Sequence, residues 1–493
     1  MCRLACAAHL RLTLTHADVS AAFTHAPLPA NEQCVLIDPP GVSSSPGKVL
    51  VLRKALYGLR QAPLRWWELI HSQLLSFGLI QSSLDPCLYV LPSTSPDSPD
   101  LWVCLYVDDL LVVSSSQALA NSLITFLSNS VNIKNLGRPD AFLGCKLAYT
   151  DNGILLSQQH LVNEVITLMK LQDCNPGLTP ERKVPLENPD LTPFADKTHF
   201  RSVLGKLVYL SCHTRPDIYH ATLAASHGST APTQHDYAKL KYIARYLKGT
   251  PDLGLLFEYG PAPAPTPSAT SSLSSSSSPS SLTAPTSMTS STLTASSSSA
   301  STSTRSAVSS APSTQSHSTS SSTTTLITTA SSSSAQPIPV FCYSDATWAS
   351  DKDRHSISGG IAIVSYAPVL WYSVRQSSIA TSSCESELVA VSVLLQDMVW
   401  LNDLLALLTR NNSIATDIYM DNQAACNAAV YPQQHSRLKH VHLRQKWVYD
   451  TLRHRPHFIV QHVPSEQNLA DLYTKAPTVP FFQFAQSHIV NPG

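Results

Sequence analysis

Residues 1–115 alternate short apolar segments with turn residues, a pattern that predicts β-strands. Three leucines between positions 10 and 14 share the parity of Asp18, so an extended strand would carry its apolar face up to that carboxylate. Two longer apolar runs, 101–106 and 110–113, are separated only by Val107, Asp108 and Asp109. The pattern therefore predicts a tight hairpin with two carboxylates at its bend.

Between residues 116 and 259 the pattern becomes helical, because apolar residues recur every three or four positions. This periodicity predicts three helices, at 160–171, 199–211 and 235–247. We therefore divide this half of the chain into a strand-rich domain, residues 1–150, and a helical extension, residues 151–260.

The pattern of apolar and polar residues in 339–475 predicts strands mixed with helices, with an acidic residue near the end of several elements. A strand from 339 ends at Asp345, a strand from 414 ends at Asp421, and the last helix contains Asp471. Ser382, three residues before Glu385, is a capping signature for a helix whose inner face begins at Glu387. The order of elements predicts an α+β fold class, with an α/β domain in residues 339–475 and a tail in 476–493.

Residues 261–338 separate these two parts and consist almost entirely of Ser, Thr, Ala and Pro. Such a segment cannot bury a core, so we predict a disordered low-complexity linker. A flexible chain of this length would span roughly 50 Å on average. Two roles stay open at this point: an inert spacer, or a segment regulated by Ser/Thr phosphorylation.

The overall charge excludes strong global attraction to an acidic or basic partner, since 33 Lys and Arg residues balance 33 Asp and Glu residues. The 11 cysteines form no C-x-x-C pair, which argues against both a zinc ribbon and a disulfide framework. The longest apolar run, 101–113, is short and contains two aspartates, so no membrane span is predicted. We expect an intracellular protein, in a cytoplasmic particle or the nucleus, that is not secreted.

Two separate sets of carboxylates are candidates for metal-dependent phosphoryl transfer. This chemistry uses two divalent cations held about 3.5–4 Å apart by shared carboxylates, and Mg²⁺ prefers oxygen ligands. The first set is Asp18, Asp108 and Asp109. An Asp-Asp pair at a bend is often an ordinary turn, but clustered charges beside apolar strands are costly without a counterion. We therefore favour a metal site.

Four ordered tracts resemble the reverse transcriptase of copia-type LTR retrotransposons: His16-Ala-Asp-Val-Ser-Ala-Ala-Phe23, Ala55-Leu-Tyr-Gly-Leu-Arg-Gln-Ala-Pro63, Phe77-Gly through Asp85-Pro-Cys-Leu-Tyr89, and Tyr106-Val-Asp-Asp109. The resemblance implies a polymerase palm in which Asp18 and Asp108 bind two metal ions and Asp109 completes the catalytic site. It also implies that Phe23 gates the incoming sugar, that Gln61 lies beside the nucleotide, and that Leu143 and Gly144 grip the primer end.

The second set of acids, Asp345, Glu387, Asp421 and Asp471, lies in tracts that resemble the RNase H domain following copia-type reverse transcriptase. These tracts are Cys342-Tyr-Ser-Asp-Ala346, Ser382-Ser-Cys-Glu-Ser-Glu387, Tyr419-Met-Asp-Asn-Gln423, His435-Ser-Arg-Leu-Lys-His440, and Val463-Pro through Leu469-Ala-Asp-Leu-Tyr-Thr-Lys475. The resemblance implies that all four acids are catalytic metal ligands. Glu387 is preferred to Glu385 because it precedes an apolar run, as the glutamate of the family does.

Basic residues concentrate after Asp421 and are candidates for neutralising the phosphates of a hybrid duplex. The candidates are Arg437, Lys439, His440, Arg444 and Lys446. The alternative is a solvated helix face. Recognition of a hybrid would depend on its A-like shape and 2′-hydroxyl groups rather than on base sequence.

The resemblance implies that the chain is a reverse transcriptase and ribonuclease H with two Mg²⁺ ions per site, Mn²⁺ being an alternative. Its implied partners are an RNA template, a DNA primer, an RNA/DNA hybrid, deoxynucleoside triphosphates and other Pol products. Only 17 residues precede Asp18, where the family has a fingers region, so we expect impaired DNA synthesis and a more complete RNase H half. Two alternatives stay open: a non-catalytic retroelement remnant and a host-adopted nucleic-acid-binding protein.

Overall fold

The computed structural model describes residues 1–38, 41, 48–92, 95, 98–182, 188–261, 337–350, 353–431 and 439–491, with only the backbone for 439–442. The described residues on both sides of the Ser/Thr-rich segment belong to one compact unit. Apart from its first residue and its last two, the predicted linker 261–338 lies outside the described residues.

The amino-terminal domain is built on a six-stranded sheet in the order β4-β5-β6-β7-β1-β8. Helices α2 and α3 cover one face of this sheet with buried side chains that include Trp66, Ile70 and Leu123. The elements are α1 Cys2–His9, β1 Thr13–Val19, β2 Cys34–Leu36, β3 Leu50–Leu52, α2 Ala62–Ser76, β4 Ile80–Gln81, β5 Leu88–Val90, β6 Leu101–Tyr106, β7 Asp109–Ser114, α3 Gln117–Ser128 and β8 Ile133–Gly137. The predicted hairpin is confirmed, since β6 and β7 pair directly through a two-residue turn.

The structure corrects the prediction for the beginning of the chain. The extended strand expected from residue 10 starts only at Thr13. Cys2–His9 is a helix, Arg11 adopts a left-handed conformation (φ 52°), and β1 starts only at Thr13. The apolar residues of this segment also fit a helical period, and Leu4, Ala5 and Ala8 are buried. Tertiary burial therefore selects a helix for residues 2–9, and the strand that leads to Asp18 begins after it.

The middle region contains a four-stranded sheet as well as the predicted helices, and two of its strands, β11 and β12, lie within the extension that was predicted as helical, residues 151–260. Its strands follow the order β12-β11-β10-β9 and all pair antiparallel. The three predicted helices are present, each with its start within two residues of the predicted position. The elements are β9 Ala141–Phe142, β10 Cys145–Tyr149, β11 Gly153–Ser157, α4 Gln159–Leu168, α5 Lys197–His213, α6 Tyr219–Ser226, α7 Gln234–Gly249 and β12 Leu255–Glu258.

The carboxy-terminal domain has a five-stranded sheet in the order β15-β14-β13-β16-β17. The first three strands pair antiparallel, whereas β16 runs parallel to both β13 and β17. The elements are β13 Val340–Thr347, β14 Ile357–Val364, β15 Ala367–Arg375, α8 Ser383–Thr409, β16 Thr416–Met420, α9 Gln423–Val430, α10 Lys439–His454, β17 Phe458–His462 and α11 Val479–Ile489. The mixed α/β fold class is confirmed, and the predicted tail contains α11.

Helix α8 is the central helix of the carboxy-terminal domain. It begins as the capping signature predicts: Ser382 Oγ accepts a hydrogen bond from the Glu385 amide at 3.2 Å. Within the described part of the chain, α8 is the one helix long and apolar enough to cross a membrane, but 67% of its most apolar window is buried inside the fold. Such burial is typical of the core helix of a globular domain.

Direct contacts join the amino-terminal and carboxy-terminal parts of the compact unit. Helix α1 packs against β11 and β12 of the middle region and also against α8, β14 and β15 of the carboxy-terminal domain. The buried indole of Trp371 donates a hydrogen bond to the Ser211 carbonyl at 2.8 Å. Further contacts are Gln486 to the Tyr246 hydroxyl at 2.5 Å, Arg410 to Asp100 at 2.8 Å, and a mutual backbone pair between Gly254 and Asn491 at 2.9 Å.

These contacts predict that the two parts stay associated without a covalent link. All of them come from residues outside 262–336, so cutting a protease site inserted near residue 300 is expected to leave both fragments in one peak on size exclusion. The variant Trp371→Ala combined with Gln486→Ala, cut in the same way, should separate more readily. Separation of the unaltered fragments would show that the linker itself holds the parts together.

Candidate active sites

Two of the carboxy-terminal acids are adjacent because of strand register. In the parallel pair of β13 and β16, residues 340–344 lie opposite residues 416–420. Asp345 and Asp421 each follow the last of these pairs, so both reach the same edge of the sheet. The Ser465 hydroxyl donates a hydrogen bond to Asp421 Oδ2 at 2.7 Å.

Glu387 comes to this edge from the first turns of α8. Its Oε1 accepts a hydrogen bond from the Ala346 amide at 3.2 Å, directly after Asp345. Glu385 serves the helix start instead, because its carboxylate accepts hydrogen bonds from the Thr381 amide at 2.7 Å and hydroxyl at 2.6 Å. The geometry therefore agrees with the preference for Glu387 over Glu385.

Asp471 lies on a short 3-10 helix, Leu469–Tyr473, that packs against the sheet. Gly359 is the cross-strand partner of Asp345, and a Cβ at Gly359 would lie 2.9 Å from the Ala470 carbonyl oxygen. Only glycine permits this close approach. The Asn468 side chain fixes the turn by donating to the Ser344 carbonyl at 3.0 Å.

The three aspartates of this set converge. One carboxylate oxygen from each of Asp345, Asp421 and Asp471 lies within 4.8 Å of the others. Burial, followed by repulsion from the neighbouring aspartates, raises the pKa of Glu387 to about 9. Burial and Asp345 likewise raise the pKa of Asp471 to about 7. Three aspartates held this close, with Glu387 beside them, are costly unless a cation accompanies them.

Two buried oxygen atoms complete the electrostatic description of this site. Within the described residues, Glu387 Oε2 and Asp471 Oδ1 have no hydrogen-bond partner. Free carboxylate oxygens in a buried acidic cluster are the ligands that hard divalent cations prefer. The donor set therefore fits a divalent metal ion.

Three further side chains surround the cluster and have no role among the residues predicted from the sequence. Thr474 donates its hydroxyl hydrogen bond to Asp345, and Lys475 Nζ lies 2.8 Å from Asp471 Oδ2. Burial opposes the charge of Lys475, but Asp345 and Asp471 outweigh it and raise the lysine pKa. Asn468 is the third. These three positions lie in the tract, ending at Thr474-Lys475, that resembles the RNase H domain. Their hydrogen-bond partners could not be predicted from the tract, because they depend on how the turn folds.

The amino-terminal acids lie around the β6–β7 hairpin. Its turn places Val107 in a left-handed conformation (φ 54°), which is unusual for a β-branched residue. The indole of Trp66 donates a hydrogen bond to the Val107 carbonyl at 2.6 Å, which anchors this turn to α2. Asp108 lies in the turn, and its carbonyl accepts a hydrogen bond from the Val19 amide at 2.9 Å.

The strand register pairs Asp18 with Asp109 rather than with Asp108. Asp109 Oδ1 lies 2.8 Å from His16 Nε2, so a histidine two residues before Asp18 orients this carboxylate. Among the described residues, a set of three potential metal-ligand atoms within 4.8 Å of one another is formed by Asp345, Asp421 and Asp471. The described acids Asp18, Asp108 and Asp109 form no such set. The assignment of Asp18 and Asp108 as metal ligands stays a prediction.

The residues predicted to contact the nucleotide lie in the same domain as this hairpin, whereas those predicted to contact the primer lie in the middle region. Phe23 lies on a 3-10 turn and packs against Tyr57, with ring centroids 4.6 Å apart. Gln61 is the residue before α2, half-buried and without a capping role. Leu143 and Gly144 form the β9–β10 turn with φ values of 47° and 72°, and the Tyr209 hydroxyl donates to the Leu143 carbonyl at 2.9 Å.

Comparison with known proteins decides the family. The reverse transcriptase (RNA-dependent DNA polymerase) family profile matches residues 2–183. The chain is 30% identical over 247 residues to a transposon Ty5-1 protein of Saccharomyces cerevisiae, of which it covers 79%. It is 27% identical over 476 residues, 96% of its own length, to the retrovirus-related Pol polyprotein from transposon RE1 of Arabidopsis thaliana. The chain belongs to the copia-type retrotransposon Pol family.

This Pol chain spans 27% of the length of the RE1 polyprotein and 26% of a second Arabidopsis polyprotein, from transposon RE2. One solved structure, LC11-RNase H1 in complex with an RNA/DNA hybrid, aligns with 28% of the chain and 94% of its own length, at 16% identity and a TM-score of 0.23. The family assignment rests on the sequence relatives.

The basic residues of this Pol chain are only partly described. Arg437 lies outside the described residues, and Lys439 and His440 are described as helical backbone alone. In α10, Arg444 is half-buried, and the exposed Lys446 pairs with Asp450 at 2.7 Å. Their role in binding nucleic acid stays a prediction.

Proposed function

We propose that the carboxy-terminal domain hydrolyses the RNA strand of RNA/DNA hybrids. The observation that carries the proposal is the convergence of Asp345, Asp421 and Asp471, with Glu387 beside them. These four acids would hold two Mg²⁺ ions, which when bound supply Lewis-acid chemistry for attack of water on a phosphodiester.

The protein's own residues prepare this site before any substrate binds. Thr474 and the Ala346 amide orient the carboxylates of Asp345 and Glu387, and Ser465 orients that of Asp421. Lys475, at the rim, places a positive charge where the phosphate backbone would approach. Because these groups are fixed in the folded protein, little reorganisation is needed during the reaction.

The direct test incubates the full chain with a labelled RNA/DNA hybrid in Mg²⁺ or in a chelator. We expect short RNA products only in Mg²⁺, and only from the hybrid, with single-stranded RNA and duplex RNA as controls. A chain that leaves the hybrid intact in Mg²⁺ would favour the non-catalytic remnant.

Metal binding also predicts a thermal shift that needs no substrate. Glu387→Gln removes a buried acid whose pKa is raised to about 9, so in a chelator the variant should melt at a higher temperature than the wild type. Mg²⁺ should stabilise the wild type by about 2 °C or more and the variant by less. Glu385→Gln is the matched control, since Glu385 caps the helix, and it should keep the Mg²⁺ response. An equal response in wild type and Glu387→Gln would contradict the ligand assignment.

We also propose RNA-directed DNA synthesis for the amino-terminal domain, supported by the family match over residues 2–183. The template would be RNA, the primer DNA, and the substrates deoxynucleoside triphosphates beside Phe23 and Gln61. In the described part of this domain, β2 and β3 pair only with each other and leave Val35 and Ile37 65% and 95% exposed. The Leu28 amide donates to the Arg53 carbonyl at 2.8 Å and supports the base of this ribbon, but a two-stranded ribbon with exposed apolar residues is marginally stable.

We therefore expect weak primer extension by the wild-type chain. Asp108→Asn should reduce extension to background, because it removes a carboxylate at the β6–β7 turn, whereas the exposed Asp151→Asn should not change it. Gel analysis of a primed RNA template measures both. Extension by Asp108→Asn at the wild-type rate would exclude this site as the source of synthesis.

A further inference from the structure

A cavity of about 490 Å³ opens beside the carboxylate cluster, on the side of the carboxy-terminal helix α11. Asp471 and Lys475 form one wall, and Phe481 and Phe484 form another. The segment 476–480, rich in proline, lies between them. The cavity is therefore continuous with the candidate metal site and is of the size that small-molecule ligands occupy.

Helix α11 divides its aromatic residues between two faces. Phe482 is buried and meets the Tyr246 ring edge-on at a centroid distance of 5.3 Å, which anchors the helix in the fold. Phe481 and Phe484, three residues apart, face the cavity with centroids 6.4 Å apart. The Phe484 ring, whose residue is 37% exposed, continues to His488 at 4.5 Å. Phe481 is half-buried against the core, so the exposed part of this row is mainly the Phe484 ring.

Lys475 is the cation in a cavity lining that also contains the carboxylates of Asp471 and Glu466. The Lys475 ammonium uses one donor on Asp471 and is half-exposed, so it has donors left for a phosphate. Glu466 also lines the cavity, but it is exposed to solvent, where water screens its charge. A cation next to aromatic faces is the combination that binds single-stranded nucleic acid, because every base has a face that stacks on an aromatic ring.

We propose that this cavity binds an unpaired nucleotide of the substrate next to the bond that is hydrolysed, with its phosphate at Lys475 and its base against Phe481 and Phe484. This inference rests on the proposed hydrolysis of hybrids and adds a subsite to it. The duplex alone would not use the aromatic row, because paired bases are stacked on each other.

The test measures binding by fluorescence anisotropy with the full chain. The probes are two labelled RNA/DNA hybrids with the same duplex, measured in a chelator so that the RNA is not hydrolysed. One is blunt, and the other carries two unpaired nucleotides on the RNA strand, placed 3′ or 5′ in separate arms. We expect the wild type to bind one extended hybrid about fivefold tighter than the blunt one, the lower end of what a stacked base contributes. Phe484→Ala should lose this preference, and Phe484→Tyr should keep it.

Val479→Ala is the matched control, because Val479 is similarly exposed on the same helix but does not line the cavity. The subsite would be overturned if the wild type bound blunt and extended hybrids with equal affinity or bound neither. It would also be overturned if folded Phe484→Ala kept the preference for the extended hybrid. Cleavage of an unmodified blunt hybrid in Mg²⁺ is assayed separately. Its absence would refute the proposed hydrolysis and would not alter the comparison of binding affinities.

Discussion

Replacing Asp421 by asparagine is expected to lower hydrolysis of the RNA strand by about 1,000-fold, the upper range for removing one preorganised electrostatic group. The substitution keeps the shape of the side chain, and the Ser465 hydroxyl can still donate to the remaining amide oxygen. It removes one of three charges whose oxygens lie within 4.8 Å of each other. The initial rate of cleavage of a labelled hybrid in Mg²⁺ measures the effect.

Asp417→Asn is the matched control for this substitution. Asp417 lies within β16, four residues before Asp421, and its carboxylate accepts a hydrogen bond from Gln461 at 2.8 Å, away from the cluster. The control should cleave at close to the wild-type rate. If both variants lose activity equally, the loss reflects damage to the strand and not the removal of a metal ligand.

Arg215→Met is expected to destabilise the fold by about 3–5 kcal/mol, the cost of leaving a buried charge without its partner. Arg215 is 1% exposed, and its guanidinium lies 2.8 Å from Asp217 and 2.7 Å from the Thr250 carbonyl. Burial would lower the pKa of Arg215, but Asp217 and Tyr246 outweigh this effect and hold it above the usual value. The shift of the urea unfolding midpoint, with the slope of the transition, measures the change.

Two comparisons separate this effect from a general loss of packing. Lys206→Met breaks the exposed pair with Glu164, 2.6 Å long, and should cost less than about 1 kcal/mol. Adding Asp217→Asn to Arg215→Met should recover part of the loss, because it removes the uncompensated charge. A destabilisation by Arg215→Met no larger than that by Lys206→Met would mean that the buried pair contributes nothing.

The sequence predicted those features that depend on local pattern. The hairpin around Asp108, the cap at Ser382 and the strand before Asp421 follow from alternation, side-chain capping and apolar runs, which involve residues close in the chain. Because β13 and β16 were both expected to end in an acid, their neighbouring positions at one edge follow once the two strands are parallel. The resemblance to the family then ordered the acids into two sets.

The remaining features depend on contacts between distant residues. Helix α1 is selected over a strand because it packs between β12 and α8, more than 240 residues away. The sheet of the middle region joins β11 to β12 across about 100 residues. The close approach of the turn bearing Asp471 depends on the missing side chain of Gly359. Local pattern carries no information on any of these contacts.

The register of β13 determines the face of the sheet on which the Asp345 carboxylate lies. Side chains alternate between the two faces of a strand, so a single inserted or deleted codon between Val340 and Ser344 would turn Asp345 towards the opposite face. The strand could still pair with β14 and β16, since both hydrogen-bonding edges are kept. A copy of the gene with such a lesion is therefore expected to lose the candidate metal site, even where the rest of its sequence is unchanged.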